Sequence, residues 1–394
     1  MNKERRLRVN ALVLAGLALL LVSGCWDAKE VHRLNYITGL GIDFEDEKFV
    51  VYAQMLNFSS IASQQERSMP VKTWVGVGKG STILGAINDL IATGQGTMFL
   101  GHVNYLVLTE KVLKEQMLKK VFDFTNRNKE TRYTKWFYGT KGDLFDLFSA
   151  KSFFDRSSLD SILGNPEANY SQLSNLKPYY VNDIVSSVLE TSSTTIVPSL
   201  ELTDKVWRES NRPQAMFKKT GGFVFNGTTY VGWMPMSDIV LGRWTQRAYE
   251  ASPLTLRSGD QIVATLEVKD ASHEIEIVDE GNRPPHFKMK LTAKATIMEL
   301  AAAVSLEEIE KLGEATISEE IMDYYKKGLH LQADLLHLGQ TYYRYHPGKW
   351  ADYSEQGRLP LKPDSLEGVS VHLRINNAQK YKSPQMKGSY KPGE

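Results

Sequence analysis

The chain has 394 residues, 42% apolar and 24% charged, enough apolar matter to bury a core and to exclude a disordered polymer. Lysine and arginine number 47 against 46 aspartate and glutamate, so no charge excess points to a nucleic-acid partner. Cys25 is the only cysteine, which excludes an internal disulfide framework.

The chain opens with Lys3, Arg5, Arg6 and Arg8, followed by an apolar run from Ala11 to Val22 and the small residues Ser23 and Gly24. A basic segment, a short apolar segment and a small-residue cleavage site make a secretory signal peptide, residues 1–24. The apolar run is shorter than the ~17–25 residues that span a bilayer as a helix. Leu21-Val22-Ser23-Gly24-Cys25 has the pattern of a bacterial lipobox, in which Cys25 becomes the new N-terminus and its thiol carries a diacylglyceryl group. Two acyl chains at ~0.8 kcal/mol per buried methylene hold a protein stably on a lipid bilayer. Trp26 would then lie at headgroup level. The reading is a lipoprotein with its body on the extracytoplasmic side, and no second long apolar run follows.

Ile37–Phe44 and Phe49–Leu56 read as a hairpin about the polar turn Glu45-Asp46-Glu47-Lys48. That turn is acidic but lacks the glycine and spacing of a calcium loop. A strand over 71–78 precedes a helix over 83–91, capped by Ser81 or Thr82, with Ile83, Ala86, Ile87 and Leu90 at helical spacing. The intervening Gly76-Val77-Gly78-Lys79-Gly80-Ser81-Thr82 is not a phosphate loop, because Gly80 separates Lys79 from Ser81. A strand over 102–109, a helix over 111–124, a charged turn over 127–132 and a strand over 133–138 come next. Helices are expected over 143–150 and 179–189. This is a mixed α/β N-terminal region, residues 26–195, which could divide into two subdomains. The polar run that follows predicts a linker over 196–215.

The C-terminal domain, residues 216–378, begins with Phe223–Val231, where Asn226-Gly227 suits a two-residue hairpin turn. Residues 262–269, 287–297 and 371–375 alternate apolar and polar side chains, which predicts an antiparallel sheet with one packed and one wet face. Thr316-Ile317-Ser318-Glu319 resembles a capping box opening a long helix that Pro347 must end. Its apolar stripe, Ile317, Ile321, Tyr324, Gly328, Leu331, Leu335, Leu338 and Tyr342, would pack on that face. The predicted class is α+β and multi-domain, with a flexible tail over 379–394.

Catalytic signatures are missing. His273-Glu274 starts like a zinc-protease helix, but Ile277 occupies the second histidine's place. Gly-x-Ser-x-Gly does not occur. No motif calls for a metal or a cofactor.

Several of these stretches carry a resemblance. Gly24-Cys25-Trp26-Asp27, Glu30-Val31, Leu34 and Thr38-Gly39-Leu40-Gly41-Ile42-Asp43 resemble the opening of the Ger(x)C family, the lipoprotein C subunits of spore germinant receptors. His102, Arg127, Glu130 and Arg132 match that family's central strand and turn, where they are read as a local ion-pair and hydrogen-bond network. Gly222–Phe225, Val231-Gly232-Trp233, Asp334–Gly339, Pro347 and Trp350 match its C-terminal half; His337 stands where glycine is common.

The resemblance implies a non-enzymatic subunit, anchored through Cys25 at the outer surface of the spore inner membrane. Its partners would be an A subunit and a transporter-like B subunit that together answer small nutrients. Two other classes fit a lipoprotein: a solute-binding protein, which needs two βαβ-type lobes, and a tethered cell-wall hydrolase, which needs an acidic cleft.

Overall fold

The structure is a computed structural model that describes residues 34–56, 72–114, 117–127, 134–246, 249–278, 281 and 283–378. Cys25, the signal peptide, Glu130, Arg132 and the tail lie outside the described residues.

The first sheet has nine strands. They are β1 (Leu34–Glu45), β2 (Lys48–Leu56), β3 (Thr73–Gly80), β4 (Thr97–Phe99), β5 (Tyr105–Thr109), β6 (Trp136–Thr140), β7 (Thr194–Glu209), β8 (Arg212–Asn226) and β9 (Thr229–Pro235). The order is β3-β2-β1-β5-β6-β7-β8-β9, with β4 beside the start of β1. β5 runs parallel to β1 and to β6, and antiparallel hairpins flank this centre. The helices are α1 (Ile83–Ala92), α2 (Glu110–Lys114), α3 (Leu118–Arg127), α4 (Leu144–Ser149), α5 (Glu167–Tyr170) and α6 (Val181–Leu189).

β5 shows why the centre is parallel. Leu106 and Leu108 enter a core with Ile87, Leu90, Val121 and Ile184 on one face, while Tyr105 and Val107 enter another with Leu144 and Phe148. Strands covered on both faces read as continuous apolar runs. α1 starts as expected, its N-cap Thr82 accepting the Gly85 amide at 3.0 Å. A Cβ at Gly80 would lie 2.4 Å from the Ala86 nitrogen. The glycines there allow helix and strand to touch.

The second sheet is β10 (Ala251–Ser258), β11 (Gln261–Val278), β12 (His286–Leu300) and β13 (Leu366–Ala378). Phe287, Met289, Leu291, Ala293 and Ala295 are buried as the alternation requires. β10, β11 and β12 are antiparallel, but β13 joins β12 in parallel, so the sheet is mixed. The physical reason is the connection: the chain leaves β12, crosses through helices and returns to the same end, which is how parallel neighbours are linked. Those helices are α8 (Leu306–His330), α9 (Leu338–Tyr345) and α10 (Trp350–Tyr353), after the short α7 (Met236–Ile239).

The long helix differs from its expected bounds. Ser305 accepts the Glu308 amide at 3.2 Å while the Glu308 carboxylate accepts the Ser305 amide at 2.8 Å. Thr316 lies inside the helix and donates to the Leu312 carbonyl at 2.8 Å. Ile317, Ile321, Tyr324 and Gly328 are buried as the stripe predicts. The chain then breaks at Leu331–Gln332, where Gln332 takes φ 53°, and α9 carries Leu338 and Tyr342 into the core. α8 also covers the outer edge of β13. Glu314 accepts the Leu373 amide at 3.1 Å and Glu310 the Ile375 amide at 2.8 Å.

Residues 196–215, expected as a linker, are paired strand instead. β7 and β8 form one hairpin from Thr194↔Asn226 to Glu209↔Arg212. Both faces of its outer part, Thr203–Ala215, are largely in water, which is why no apolar alternation marks it.

Candidate functional site

Two polar clusters hold the helices of the second sheet, one to the first sheet and one to the segment that follows it. Asp334, in the turn between α8 and α9, is the centre of one. Its carboxylate accepts the backbone amides of Leu338 at 3.0 Å and Gly339 at 2.7 Å, satisfying orphan donors at the start of α9. Its own amide donates to the Thr194 hydroxyl at 3.1 Å. Thr194 in turn donates to the Asn226 side-chain oxygen at 3.0 Å. The Asn226 amide reaches the Gln332 carbonyl at 2.7 Å, and Arg358 donates to the Asn226 carbonyl at 3.1 Å. Beside them lies a cleft of about 370 Å³ lined by Ser192, Asn226, Gln332, Gln356, Arg358 and Leu361, among others. Burial pushes the Asp334 carboxyl up to about 6, against the opposing pull of the backbone amides it accepts.

Two positions of this turn are constrained by the backbone. His337 takes φ 56°, the left-handed region that glycine occupies without strain. A Cβ on Gly339 would meet the Ser192 hydroxyl at 2.6 Å and Leu359 at 3.1 Å. Close backbone packing is therefore kept at 339 while 337 tolerates a side chain.

The second cluster holds the segment after β9 to α8. Arg243 is buried and pairs with Glu320 at 3.1 Å, and the Trp244 indole donates to the same carboxylate at 2.6 Å. The guanidinium lies 3.9 Å from the Trp244 ring centre. Burial lowers the Arg243 pKa and raises that of Glu320, and each partner opposes the other's shift.

Of the residues singled out in the sequence, His102 is exposed and packs its ring 4.9 Å from Tyr36 and 5.7 Å from Phe99. Arg127 pairs with Asp123 at 2.7 Å. Asp43 accepts the Thr109 hydroxyl and the Phe44 amide, tying the end of β1 to the end of β5. His273 and Glu274 lie in β11. Among the described residues no group of three or more His, Cys, Asp or Glu could hold a metal ion. Thr194, Arg243, Trp244 and Glu320 carried no sequence signal, and Asn226 read only as a turn residue. Their partners are far away in the chain, 140 residues for Thr194 and Asp334.

Comparison with known proteins agrees with this architecture. Residues 27–202 match the family described as spore germination protein N-terminal domain, and residues 220–377 match spore germination B3/GerAC like, C-terminal. The gap between the two falls in the exposed part of the β7–β8 hairpin. Spore germination protein KC of Bacillus subtilis (strain 168) is 23% identical over 390 residues, covering 92% of this chain and 94% of its own length. Spore germination protein A3 of the same organism is 23% identical over 180 residues, 45% of this chain and 48% of its own. The crystal structure of the GerBC protein superimposes with a TM-score of 0.50 at 16% identity, over 88% of this chain and all of that one. With both halves matched in order and nearly the whole length covered, the chain belongs to the GerAC-like spore germination protein family, as a C-subunit type member.

Proposed function

We propose that the protein is a non-enzymatic, lipid-anchored subunit of a membrane germinant receptor. In this reading it is held at the extracytoplasmic face of the spore inner membrane beside A and B membrane subunits. The observation that carries the reading is the in-order match of both parts of one germination family over residues 27–202 and 220–377, directly behind the lipobox cysteine. The two polar clusters support it in kind: they join layers and present no nucleophile with a base. Cys25 would supply the tether, and a tether raises the effective concentration of the body beside its membrane partners.

The test is Cys25→Ala in spores. The variant protein is expected to leave the membrane fraction, and the nutrient response through this receptor to fall sharply, while nutrient-independent germination is spared. Level is checked by blot. A normal nutrient response from spores whose variant protein carries no lipid would rule the tethered mechanism out.

A further inference from the structure

β1, β5 and β6 all begin at one end of the first sheet, and β2 finishes there beside the start of β3, as the pairs Ile37↔Met55, Met55↔Trp74 and Gly39↔Tyr105 show. α1 returns to the same end, since Leu90 packs against Gly76. This end is where the chain arrives from Cys25. Only residues 26–33 separate Cys25 from Leu34, a reach of at most about 30 Å when fully extended.

The surface at this end has an unusual composition. Trp74 is 67% exposed and Ile91 47% exposed. Tyr36, Phe99 and His102 form an aromatic group there, with ring centres 4.9 to 6.0 Å apart. Residues 34–42, 72–78 and 91–104 contain not one aspartate or glutamate in a chain that carries 46, and Lys72 brings a positive charge. Asp123 on the neighbouring α3 is neutralised by Arg127 at 2.7 Å. Asp183, in the first turn of α6 beside the start of β6, is occupied by the Tyr180 amide at 3.1 Å. Exposed aromatic and apolar side chains among mostly uncharged polar neighbours suit the headgroup layer of a bilayer, where tryptophan and tyrosine are favoured.

We propose that this end of the first sheet rests on the lipid headgroup surface, with Trp74 and Ile91 as its contact residues. The inference rests on the anchoring of Cys25 and deepens it: the tether is short, so the end it enters is the face turned to the membrane. The opposite end, with Asp46 and Glu47 in the β1–β2 turn, then points away.

The lipidated full chain tests this in vesicles of phosphatidylethanolamine and phosphatidylglycerol. Because the native thiol is committed to lipid, single cysteines introduced as Trp74→Cys, Ile91→Cys and Glu47→Cys take one environment-sensitive fluorophore each. Gln95→Cys, also at the near end, replaces either near-end variant that fails to keep the parent's thermal unfolding. Lipids spin-labelled near the headgroup are expected to quench the fluorophore several-fold more at 74 and 91 than at 47. Equal quenching at all positions, on protein that still floats with the vesicles, would overturn the orientation and leave the anchor standing. Protein that does not float overturns both. Shielding at 74 and 91 that appears only in membranes carrying other membrane proteins assigns the surface to a protein partner and overturns the lipid contact.

Discussion

A carboxylate that must serve two backbone amides cannot be replaced by a carboxamide without loss. Asp334→Asn keeps the shape but turns an NH2 group toward one of the two amides it now accepts, from Leu338 and Gly339. The expected cost is about 1–3 kcal/mol, the range for leaving a buried polar group unsatisfied. The same residue gives the protein a pH dependence. Its carboxyl stands near 6 in the folded chain and at 3.8 when unfolded. Between those values the folded protein holds a proton that the unfolded chain has released. This residue's contribution therefore falls as pH rises through that window, by ~2–3 kcal/mol in all. Urea midpoints of the parent and of Asp334→Asn at pH 4.5 and pH 7 would show it. The variant should lack this component, and an unchanged difference between the two pH values would refute the assignment.

At the level of elements, the start of α8 makes a sharp distinction between two look-alike signals. Ser305-x-x-Glu308 and Thr316-x-x-Glu319 fit the same capping pattern, but the first alone sits where the amides are orphaned. Ser305→Ala should cost ~1 kcal/mol, the usual value for losing an N-cap. Thr316→Ala should stay within about 0.5 kcal/mol, and equal losses in thermal unfolding would contradict the observed start. The sequence disclosed α1 because the cap at Ser81 or Thr82 and the apolar spacing agree with one another. It disclosed the wet and packed faces of β12 for the same reason. It did not disclose the direction of β13, because alternation is identical in parallel and antiparallel strands. Nor did it disclose the outer arm of β7 and β8, since two wet faces look like a linker. Asp334 was legible only through resemblance, and its partners not at all. Contacts such as Arg243 with Glu320, 77 residues apart, leave no local trace.

Taken whole, the molecule shares walls between its layers. Phe223 and Phe225 of β8 point into the core of the first sheet, while Val224 between them points into the core of the second. Leu176, from the segment before α6, also belongs to the second core, and the Ser174 amide bonds the Ala251 carbonyl at 2.9 Å. Separating the halves would strip one face of β8, so unfolding should be a single cooperative transition despite the two sheets. Calorimetry with two resolved peaks would show the shared wall to be too weak. Among the described residues no helix is long and apolar enough to cross a membrane. The carboxylates of Glu310 and Glu314 on the outer amides of β13 have a consequence for neighbours. Crowding many copies onto one surface favours strand-by-strand fusion wherever a sheet offers an open margin. Here one margin is sealed by the protein's own helix, and the other, β10, carries Pro253, which has no amide hydrogen to offer. Copies of the second sheet can stand shoulder to shoulder and remain separate molecules.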